Sequence, residues 1–370
     1  MVKDILLGRN LLGLLARLSK WHMDYFLTGK PAPLACGFYI TTKCNFRCEF
    51  CNIWRIAPGY QVGYEEARKF IAELGNMKLA YFSVSGGEPL LVPYVFDLLF
   101  YAKQRGILYT HIVSNGYLLD KYRAKEMALA RLSEVSFSLD GNKEVHDTNR
   151  GMQGAFDRVI VAVDLVRTNA PKVKIVLNTI LDSLNPQNAL FAVNTARRLK
   201  VKIKVQPEND HPDFKSETTA VKRQRYLEPR QKKALFDAIK VMQKSRHVAN
   251  SKPFLENYKT FLNPAQDLPL SKSDCIFGFH HLEFFAGKIF PCLEGSFWQG
   301  GFDITSSAIK DVISSSQYRD KLQQLKKCDG CENNYYVCYY EPRLNFPIWN
   351  FVSSRMRRNL TSEVSGIGNT

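Results

Sequence analysis

Six short runs of β-branched and aromatic residues alternate with helical segments, and this alternation limits the fold more than any other feature. The strand-like runs occupy 37–42, 80–85, 107–113, 134–139, 173–180 and 201–206, and the helical segments occupy 63–77, 94–105, 119–131, 155–168 and 187–199. Parallel neighbours need a crossover connection, so the alternation predicts a parallel sheet in an α/β fold. Six units are too few for a closed eight-stranded barrel. A partly open barrel and a doubly wound sheet both fit the count.

The flanking segments indicate further units. The residues Leu7, Leu11, Leu14, Leu15, Leu18 and His22 recur at helical spacing and predict an amphipathic helix over 4–25. After a polar, irregular stretch and a helix at 229–245, residues 272–342 combine aromatics, five cysteines and short strand-like pieces at 281–285 and 288–291. A module this small needs metal to hold its shape. The predicted divisions are 1–35 (helix and linker), 36–246 (core), 247–345 (cysteine-rich domain) and 346–370 (basic tail).

Charge and cysteine content narrow the class of protein. The formal charge of +16 favours anionic partners without choosing among nucleic acid, lipid headgroups and phosphorylated substrates. Nine cysteines in a long chain, clustered and odd in number, predict metal binding in a reducing cytoplasm rather than a disulfide framework. No convincing secretory signal is present, and no run approaches the roughly 18 apolar residues of a transmembrane helix.

The first cysteine cluster is C-x3-C-x2-C, formed by Cys44, Cys48 and Cys51 directly after the first strand. Active sites of α/β folds lie at the carboxyl ends of strands. Three thiolates around one cuboidal cluster leave an iron that can bind a small molecule. The alternative is structural zinc, which usually completes four ligands locally. Cys36 is a poor fourth ligand because the first strand carries it to the opposite end.

This motif resembles the radical S-adenosylmethionine superfamily, whose hallmark is the same spacing with an aromatic before the third cysteine. Phe50 fills that position, and the resemblance implies that it stacks near the adenine of the cofactor. The stretch 85–89 resembles the family's GGE motif, in which backbone groups of Gly86, Gly87 and Glu88 would hold the methionine amino group. Glycine suits that role because a backbone without a side chain lets a ligand approach its carbonyls.

Further matches follow the later strands. By resemblance, Ser138 and Asn115 would face the ribose or carboxylate of S-adenosylmethionine, and Arg150 would pair with its carboxylate. Asn178 and Gln206 end the fifth and sixth strands, where they would meet the adenosyl group or the substrate. The alternatives are ordinary turn chemistry around Asn115 and Ser138 and a solvated Arg150.

The resemblance covers about residues 36–342 and implies a partial (β/α)6 barrel. It also implies that a [4Fe–4S] cluster, reduced by a flavodoxin or ferredoxin, cleaves S-adenosylmethionine to a 5′-deoxyadenosyl radical, which removes a hydrogen atom from a substrate. The substrate and any catalytic residue stay unidentified. A lipid-linked molecule, a peptide and a sugar are all left open.

A second cysteine cluster lies in the C-terminal part of the chain. Its members are Cys275, Cys292, Cys328, Cys331 and Cys338. The pattern resembles a SPASM or twitch domain, with a hairpin turning at Gly287, although the full SPASM pattern has more cysteines. One auxiliary [4Fe–4S] cluster on the first four is predicted, and Cys338 is a replacement ligand or part of a degraded second site. A zinc ribbon is the alternative.

Two surface features leave other partners open. The N-terminal helix, the aromatic stretch 346–351 and the basic stretch 353–358 would suit peripheral contact with the inner face of a membrane. Alternatively, the helix covers the open bottom of the barrel and the tail is solvated. A non-catalytic zinc or iron–sulfur protein that binds nucleic acid is the competing functional class, although the basic residues are spread along the chain. A radical methyltransferase is disfavoured because no cobalamin-binding domain is visible.

Overall fold

The computed structural model describes residues 11–29, 31–208, 227–262, 277–292, 300–325, 335–337 and 340–341. Its helices are α1 Leu11–Thr28, α2 Tyr64–Asn76, α3 Val95–Gln104, α4 Lys121–Leu129, α5 Lys143–Arg150, α6 Ala155–Asn169, α7 Pro186–Arg198, α8 Pro229–Lys244, α9 Lys252–Phe261, α10 Phe277–His280, α11 Ile309–Ser314 and α12 Ser316–Leu325. Its strands are β1 Ala35–Thr41, β2 Tyr81–Gly86, β3 Tyr109–Ser114, β4 Glu134–Ser138, β5 Lys174–Leu181, β6 Lys202–Pro207, β7 His281–Phe285, β8 Lys288–Phe290 and β9 Phe302–Asp303. The six predicted core strands all form within two residues of their expected bounds.

The order of the strands decides between the two architectures. The described strands form one sheet in the order β6-β5-β4-β3-β2-β1-β7-β8-β9, and β1 to β6 are parallel neighbours in sequence order. A doubly wound sheet reverses its strand order at a switch point, which this sheet does not do between β1 and β6. The core is therefore a partial (β/α)6 barrel, as the resemblance implied.

The C-terminal strands extend this sheet. Strand β7 pairs in parallel with β1, and β8 and β9 follow as antiparallel neighbours. The ring of Phe284 in β7 stacks on Phe38 in β1 at 4.7 Å and lies 4.5 Å from Phe70 in α2. The predicted hairpin is present, since Gly287 turns between β7 and β8 with a φ of 74°. The segment 277–290 thus shares the hydrophobic core of the barrel, and the predicted domain boundary at 247 stays a prediction.

Helix α1 closes the amino-terminal end of the barrel. Leu14 packs against Ala80 and Tyr109, and the indole of Trp21 donates to the carbonyl of Phe279 at 3.1 Å. Arg17 donates to the carbonyl oxygen of Gly106 at 2.8 Å. This packing agrees with the expectation that the helix covers the bottom of the barrel.

The sequence-based view of the packed face of α1 needs a correction. Leu15 was expected on the buried face, and 45% of it is exposed. Residues Leu14, Leu18, Trp21 and Tyr25 form the packed side instead, because their 3- and 4-residue spacing follows the helical repeat. None of the helices in the described ranges is long and apolar enough to cross a membrane.

A buried polar cluster lies among β2 to β6. The imidazole of His111 is within hydrogen-bonding distance of the hydroxyls of Tyr81, Ser83 and Ser136, each at 2.8 Å. Its neighbour Glu134 accepts from the Tyr109 hydroxyl at 2.8 Å. Two ammonium groups complete the environment of this carboxylate, Lys204 at 2.6 Å and Lys174 at 3.1 Å. The charge of Glu134 is therefore fully compensated within the sheet.

The His111 site predicts an acid-sensitive fold. Burial lowers the pKa of His111 to about 3, with the nearby lysines adding to the effect, while the unfolded side chain titrates near its ordinary value of about 6.5. The unfolded state therefore binds the extra proton between these values, and the free energy of unfolding falls as the pH drops through that window. Urea unfolding across this range should show a weaker pH dependence for His111→Gln than for the wild type. Identical slopes would contradict the assignment of a buried neutral imidazole.

Candidate active site

The cysteine loop follows β1 at the carboxyl edge of the sheet, and its three thiols are near enough for Cys48 and Cys51 to affect the pKa of Cys44. The amide of Phe46 donates to the sulfur of Cys44 at 3.4 Å, and the amide of Cys51 donates to the carbonyl of Cys48 at 3.3 Å. The buried ring of Phe46 anchors the loop against Tyr117, with the ring centres 5.6 Å apart. Cys36 lies at the opposite end of β1 and is fully buried.

Burial makes these thiols poor anions without a bound metal. It raises the pKa of all three, that of Cys44 to about 12, and the neighbouring Cys48 and Cys51 raise the Cys44 value further. Metal coordination supplies the positive charge that turns such thiols into thiolates. In the described part of the chain, no three His, Cys, Asp or Glu side chains are arranged to hold a metal ion as they stand. The donor set, three thiols in one loop, fits an iron–sulfur cluster with an open iron.

The glycines of the GGE motif allow a close approach between two loops. A Cβ on Gly86 would lie 2.3 Å from the carbonyl oxygen of Thr41, and one on Gly87 would lie 2.1 Å from that of Lys43. The amides of Gly87 and Glu88 donate to these same two oxygens at 2.7 and 2.8 Å. The sequence suggested ligand approach as the reason for the glycines. The structure gives another reason, because the cysteine loop itself occupies the space.

Glu88 is buried, and its carboxylate hydrogen-bonds groups on two successive loops. Its carboxylate accepts from the Leu90 amide at 2.9 Å, from the Ser114 hydroxyl at 2.8 Å and from the Asn115 amide at 2.8 Å. Burial raises the pKa of this carboxyl, and the three hydrogen bonds oppose that shift. The side chain of Asn115 then donates to Asn45 in the cysteine loop at 2.8 Å. The loops after β1, β2 and β3 are therefore joined by direct hydrogen bonds.

Arg150 lies between the cysteine loop and the loop after β4. Its guanidinium contacts Asp140 at 2.7 Å through Nε and at 2.5 Å through Nη2, and it also hydrogen-bonds the thiol of Cys48. The same group lies 4.9 Å from the centre of the Phe50 ring. Asp140 is held in turn by the amide of Ile180 at 3.0 Å. Arg150 therefore has a carboxylate partner within the chain.

The three remaining sequence-predicted contacts differ in their surroundings. Ser138 ends β4, whereas its register partner Asn178 lies inside β5, three residues before that strand ends at Leu181, and not at the strand end as the sequence suggested. The side-chain oxygen of Asn178 is buried without a hydrogen bond, so it can accept one from a ligand. The amide of Gln206 instead donates to the carbonyl of Tyr335 at 3.1 Å and accepts from Val337 at 3.0 Å. It fastens the segment 335–337 to the barrel.

Sequence reasoning missed three residues that organise this site, Asn45, Ser114 and Asp140. Each stands beside a residue or motif that was noticed, and each works through a hydrogen bond to another loop. A signal was present in the sequence, since Ser114 is the last residue of β3 and Asn45 and Asp140 follow the ends of β1 and β4.

Most of the second cysteine cluster lies outside the residues that the structure describes. Cys292 is buried just after β8, while Cys275, Cys328, Cys331 and Cys338 lie outside the described residues. The predicted auxiliary site therefore stays a prediction.

Comparison with known proteins identifies the class that this barrel and loop define. Residues 38–186 match the family description "Radical SAM superfamily". The chain therefore contains a region, residues 38–186, that is similar to the radical SAM superfamily of enzymes. The cofactors of this superfamily are a [4Fe–4S] cluster and S-adenosylmethionine, which the donor set of the cysteine loop fits.

Particular relatives share only part of this chain. It is 32% identical over 139 residues to an AdoMet-dependent heme synthase of Methanosarcina barkeri, covering 37% of this chain and 40% of the relative. It is 30% identical over 146 residues to the mycofactocin maturase MftC of Mycobacterium tuberculosis, covering 38% and 36%. The matched region thus spans well under half the length of both curated relatives.

Solved structures share the fold over most of the chain. Streptococcus suis SuiB bound to S-adenosylmethionine superposes with a TM-score of 0.64 at 16% identity, covering 90% of this chain and 83% of SuiB. The structure of anSMEcpe with bound AdoMet superposes with a TM-score of 0.59 at 19% identity, covering 88% and 100%. At these identities the likeness concerns the fold alone.

Proposed function

We propose that this protein holds a [4Fe–4S] cluster on Cys44, Cys48 and Cys51 and uses it to cleave S-adenosylmethionine reductively. When bound and reduced, the cluster would break the sulfonium carbon–sulfur bond and release a 5′-deoxyadenosyl radical that takes a hydrogen atom from the substrate. The observation that carries this proposal is the hydrogen-bonded joining of the cysteine loop to the GGE loop and to the loop after β3. Such bracing keeps ligands preorganised.

The neighbouring side chains have separate roles in this proposal. Arg150 stabilises the Cys48 thiolate through its hydrogen bond and keeps its own orientation through Asp140. The buried oxygen of Asn178 and the hydroxyl of Ser138 would receive the hydroxyl groups of the ribose. Phe50, Gly86, Gly87, Glu88 and Asn115 shape the cofactor pocket through ring and backbone contacts.

The electron donor we propose is an acidic flavodoxin or ferredoxin. Three exposed basic side chains, Lys43, Arg47 and Arg55, lie on or next to the cysteine loop. The indole of Trp54 has two of them over its ring, Arg47 and Arg55, each at 4.5 Å. Opposite charges of this kind accelerate and orient the docking of an acidic carrier. We therefore also propose a cytoplasmic location, because such carriers work in that compartment.

For the substrate we propose a peptide. The superposed SuiB has also been solved bound to its precursor peptide SuiA, with a TM-score of 0.61 at 16% identity. The names of two other relatives give a second candidate, an iron porphyrin. These are the heme synthase and the Fe-coproporphyrin III synthase of Methanosarcina barkeri, the latter 34% identical over 123 residues. Lipid-linked and sugar substrates have no comparable support.

The test of the proposed function needs no knowledge of the substrate. Protein reconstituted anaerobically with iron and sulfide should turn brown, and addition of S-adenosylmethionine and dithionite should yield 5′-deoxyadenosine and methionine, measured by mass spectrometry. A colourless protein that binds zinc and yields neither product would overturn the proposal. Iron analysis also tests the auxiliary site, because eight irons per chain are expected if Cys275, Cys292, Cys328 and Cys331 hold a second cluster.

Replacing Arg150 by glutamine should change the cluster and also destabilise the fold, because Asp140 loses the partner of its buried ion pair. The variant loses the charged hydrogen bond to Cys48, so the reduction potential should become more negative and cleavage of S-adenosylmethionine should slow by about 10- to 100-fold. Redox titration followed by electron paramagnetic resonance measures the potential. Restoration of the potential by Arg150→Lys would support the role of charge. An unchanged potential in Arg150→Gln would contradict it.

A further inference from the structure

The amino-terminal edge of the barrel has a charge pattern that the cluster chemistry does not use. Five helix-to-strand connections lie at this edge, at 77–80, 105–108, 130–133, 170–173 and 199–201, and so does the turn at 245–247, which leads from α8 to a bridge between Val248 and Ile203 in β6. Each contains one lysine or arginine and no aspartate or glutamate. We name these six residues the basic belt: Lys78, Arg105, Arg131, Lys172, Lys200 and Arg246. Because parallel strands begin at the same edge, the belt lies opposite the cysteine loop.

Most of the belt is free to meet a partner. All of its members are exposed except Arg105, which is half-buried and donates to Asn76 at 2.7 Å. Three of them, Lys78, Arg131 and Lys200, have φ values of 61°, 52° and 55°. Helix ends of this type normally use glycine or asparagine, since other side chains are strained there. The basic side chains are therefore present at a conformational cost.

Helix α1 adds an exposed apolar stripe at the same edge. The stripe consists of Leu12, Leu15, Met23, Phe26 and Leu27, of which Leu12 is 82% and Leu27 is 78% exposed. At 100° per residue these five positions fall on one side of the helix, away from Leu14 and Trp21, which pack on the barrel. Lys20 flanks the stripe and is paired with Asp24 at 2.7 Å.

The stripe and the belt are neighbours. Arg17, on the packed side of α1, donates to the carbonyls of Leu79 and Gly106, which lie in the turns that carry Lys78 and Arg105. An apolar helix face beside a row of cations matches a membrane whose surface is anionic and whose interior is hydrocarbon. Nucleic acid would use the cations and leave the leucines exposed to water.

We propose that this edge of the barrel docks on an anionic phospholipid bilayer, with the stripe inserted at the headgroup level and the belt facing the lipid phosphates. The cysteine loop, at the other end of the strands, then faces the aqueous phase. Docking therefore leaves the site open to a soluble electron carrier. The proposal does not depend on the cluster chemistry.

The test uses flotation of the full-length reconstituted protein with vesicles of phosphatidylcholine alone or mixed with phosphatidylglycerol. The wild type should bind only the anionic vesicles, and binding should weaken with salt. The triple variant Lys78→Asn, Arg131→Asn, Lys200→Asn should partition about 100-fold less, with its fold kept because asparagine tolerates these backbone angles. Leu12→Ser with Leu27→Ser should also release the protein.

A matched control neutralises three cations at the opposite edge, Lys121→Asn, Arg230→Asn and Lys252→Asn, all in first turns of helices. This control should float like the wild type. The proposal is overturned if the control variant loses as much binding to anionic vesicles as the belt variant does. It is also overturned if the wild type does not bind anionic vesicles. It is also overturned if the belt variant binds normally but melts earlier, since the cations would then only offset helix dipoles. Retention of RNA in place of anionic vesicles would assign the edge to nucleic acid instead.

Discussion

Replacement of Cys44, Cys48 and Cys51 by alanine together should remove four irons per chain and reduce 5′-deoxyadenosine formation to the level of a reaction without protein. The physical reason is that the three thiols are the only cysteines at the carboxyl edge in the described ranges. Without thiolates, the neighbouring Arg150 and backbone amides have no cluster to position. The loss would be measured by iron analysis, by the absorbance of the thiolate-to-iron charge-transfer bands and by product quantification with mass spectrometry.

Cys36→Ala provides the matched control for this triple variant. Cys36 is buried at the start of the same strand, and burial together with the nearby Glu283 raises its thiol pKa well above the ordinary value. An uncharged thiol at the wrong end of β1 binds no cluster, so this variant should keep its full iron content and its activity. Loss of iron in the control, or normal turnover in the triple variant, would show that the cluster lies elsewhere.

The sheet was predictable because its strands are buried runs of apolar residues with clear helical partners. Strand β2, for example, follows an amphipathic helix and precedes a glycine pair, and each of these signals is local. The sequence did not predict helix α5, because local signals of this kind are missing there. Its sequence, KEVHDTNR, has no apolar periodicity, and it forms because Asn142 caps its start and Gly151 ends it with a φ of 59°.

The partners of the site residues were less predictable than their positions. A motif predicts that Arg150 lies near the cofactor, but it does not predict that Asp140 already binds this arginine. Gln206 ends the sixth strand as expected, and only tertiary structure shows that its amide holds 335–337. Contacts of this kind join residues far apart in the chain. The pairing of β7 with β1 was equally unpredictable, since nothing in the sequence of β7 reveals this partner.

Gly87→Ala should be severely damaging, although it adds only one methyl group. The added methyl group would sit 2.1 Å from the Lys43 carbonyl oxygen and 2.8 Å from that of Thr42, both backbone atoms. The GGE loop must then move away from the cysteine loop and lose its bonds to Thr41 and Lys43. A shift of about 1 Å in such a site costs roughly 100-fold in rate. Cluster content and affinity for S-adenosylmethionine should fall together.

Gly13→Ala separates this local effect from a general intolerance of alanine. Gly13 lies within α1, and its added methyl group would meet nothing nearer than a Leu108 methyl group at 3.5 Å. Alanine also favours the helix by up to about 1 kcal/mol over glycine, so this variant should melt no earlier than the wild type and cleave S-adenosylmethionine at the same rate. Should Gly87→Ala retain wild-type cluster content and turnover, the hydrogen-bonded contact between the two loops would not be what positions the cluster, and the cysteine loop would have to hold its shape alone.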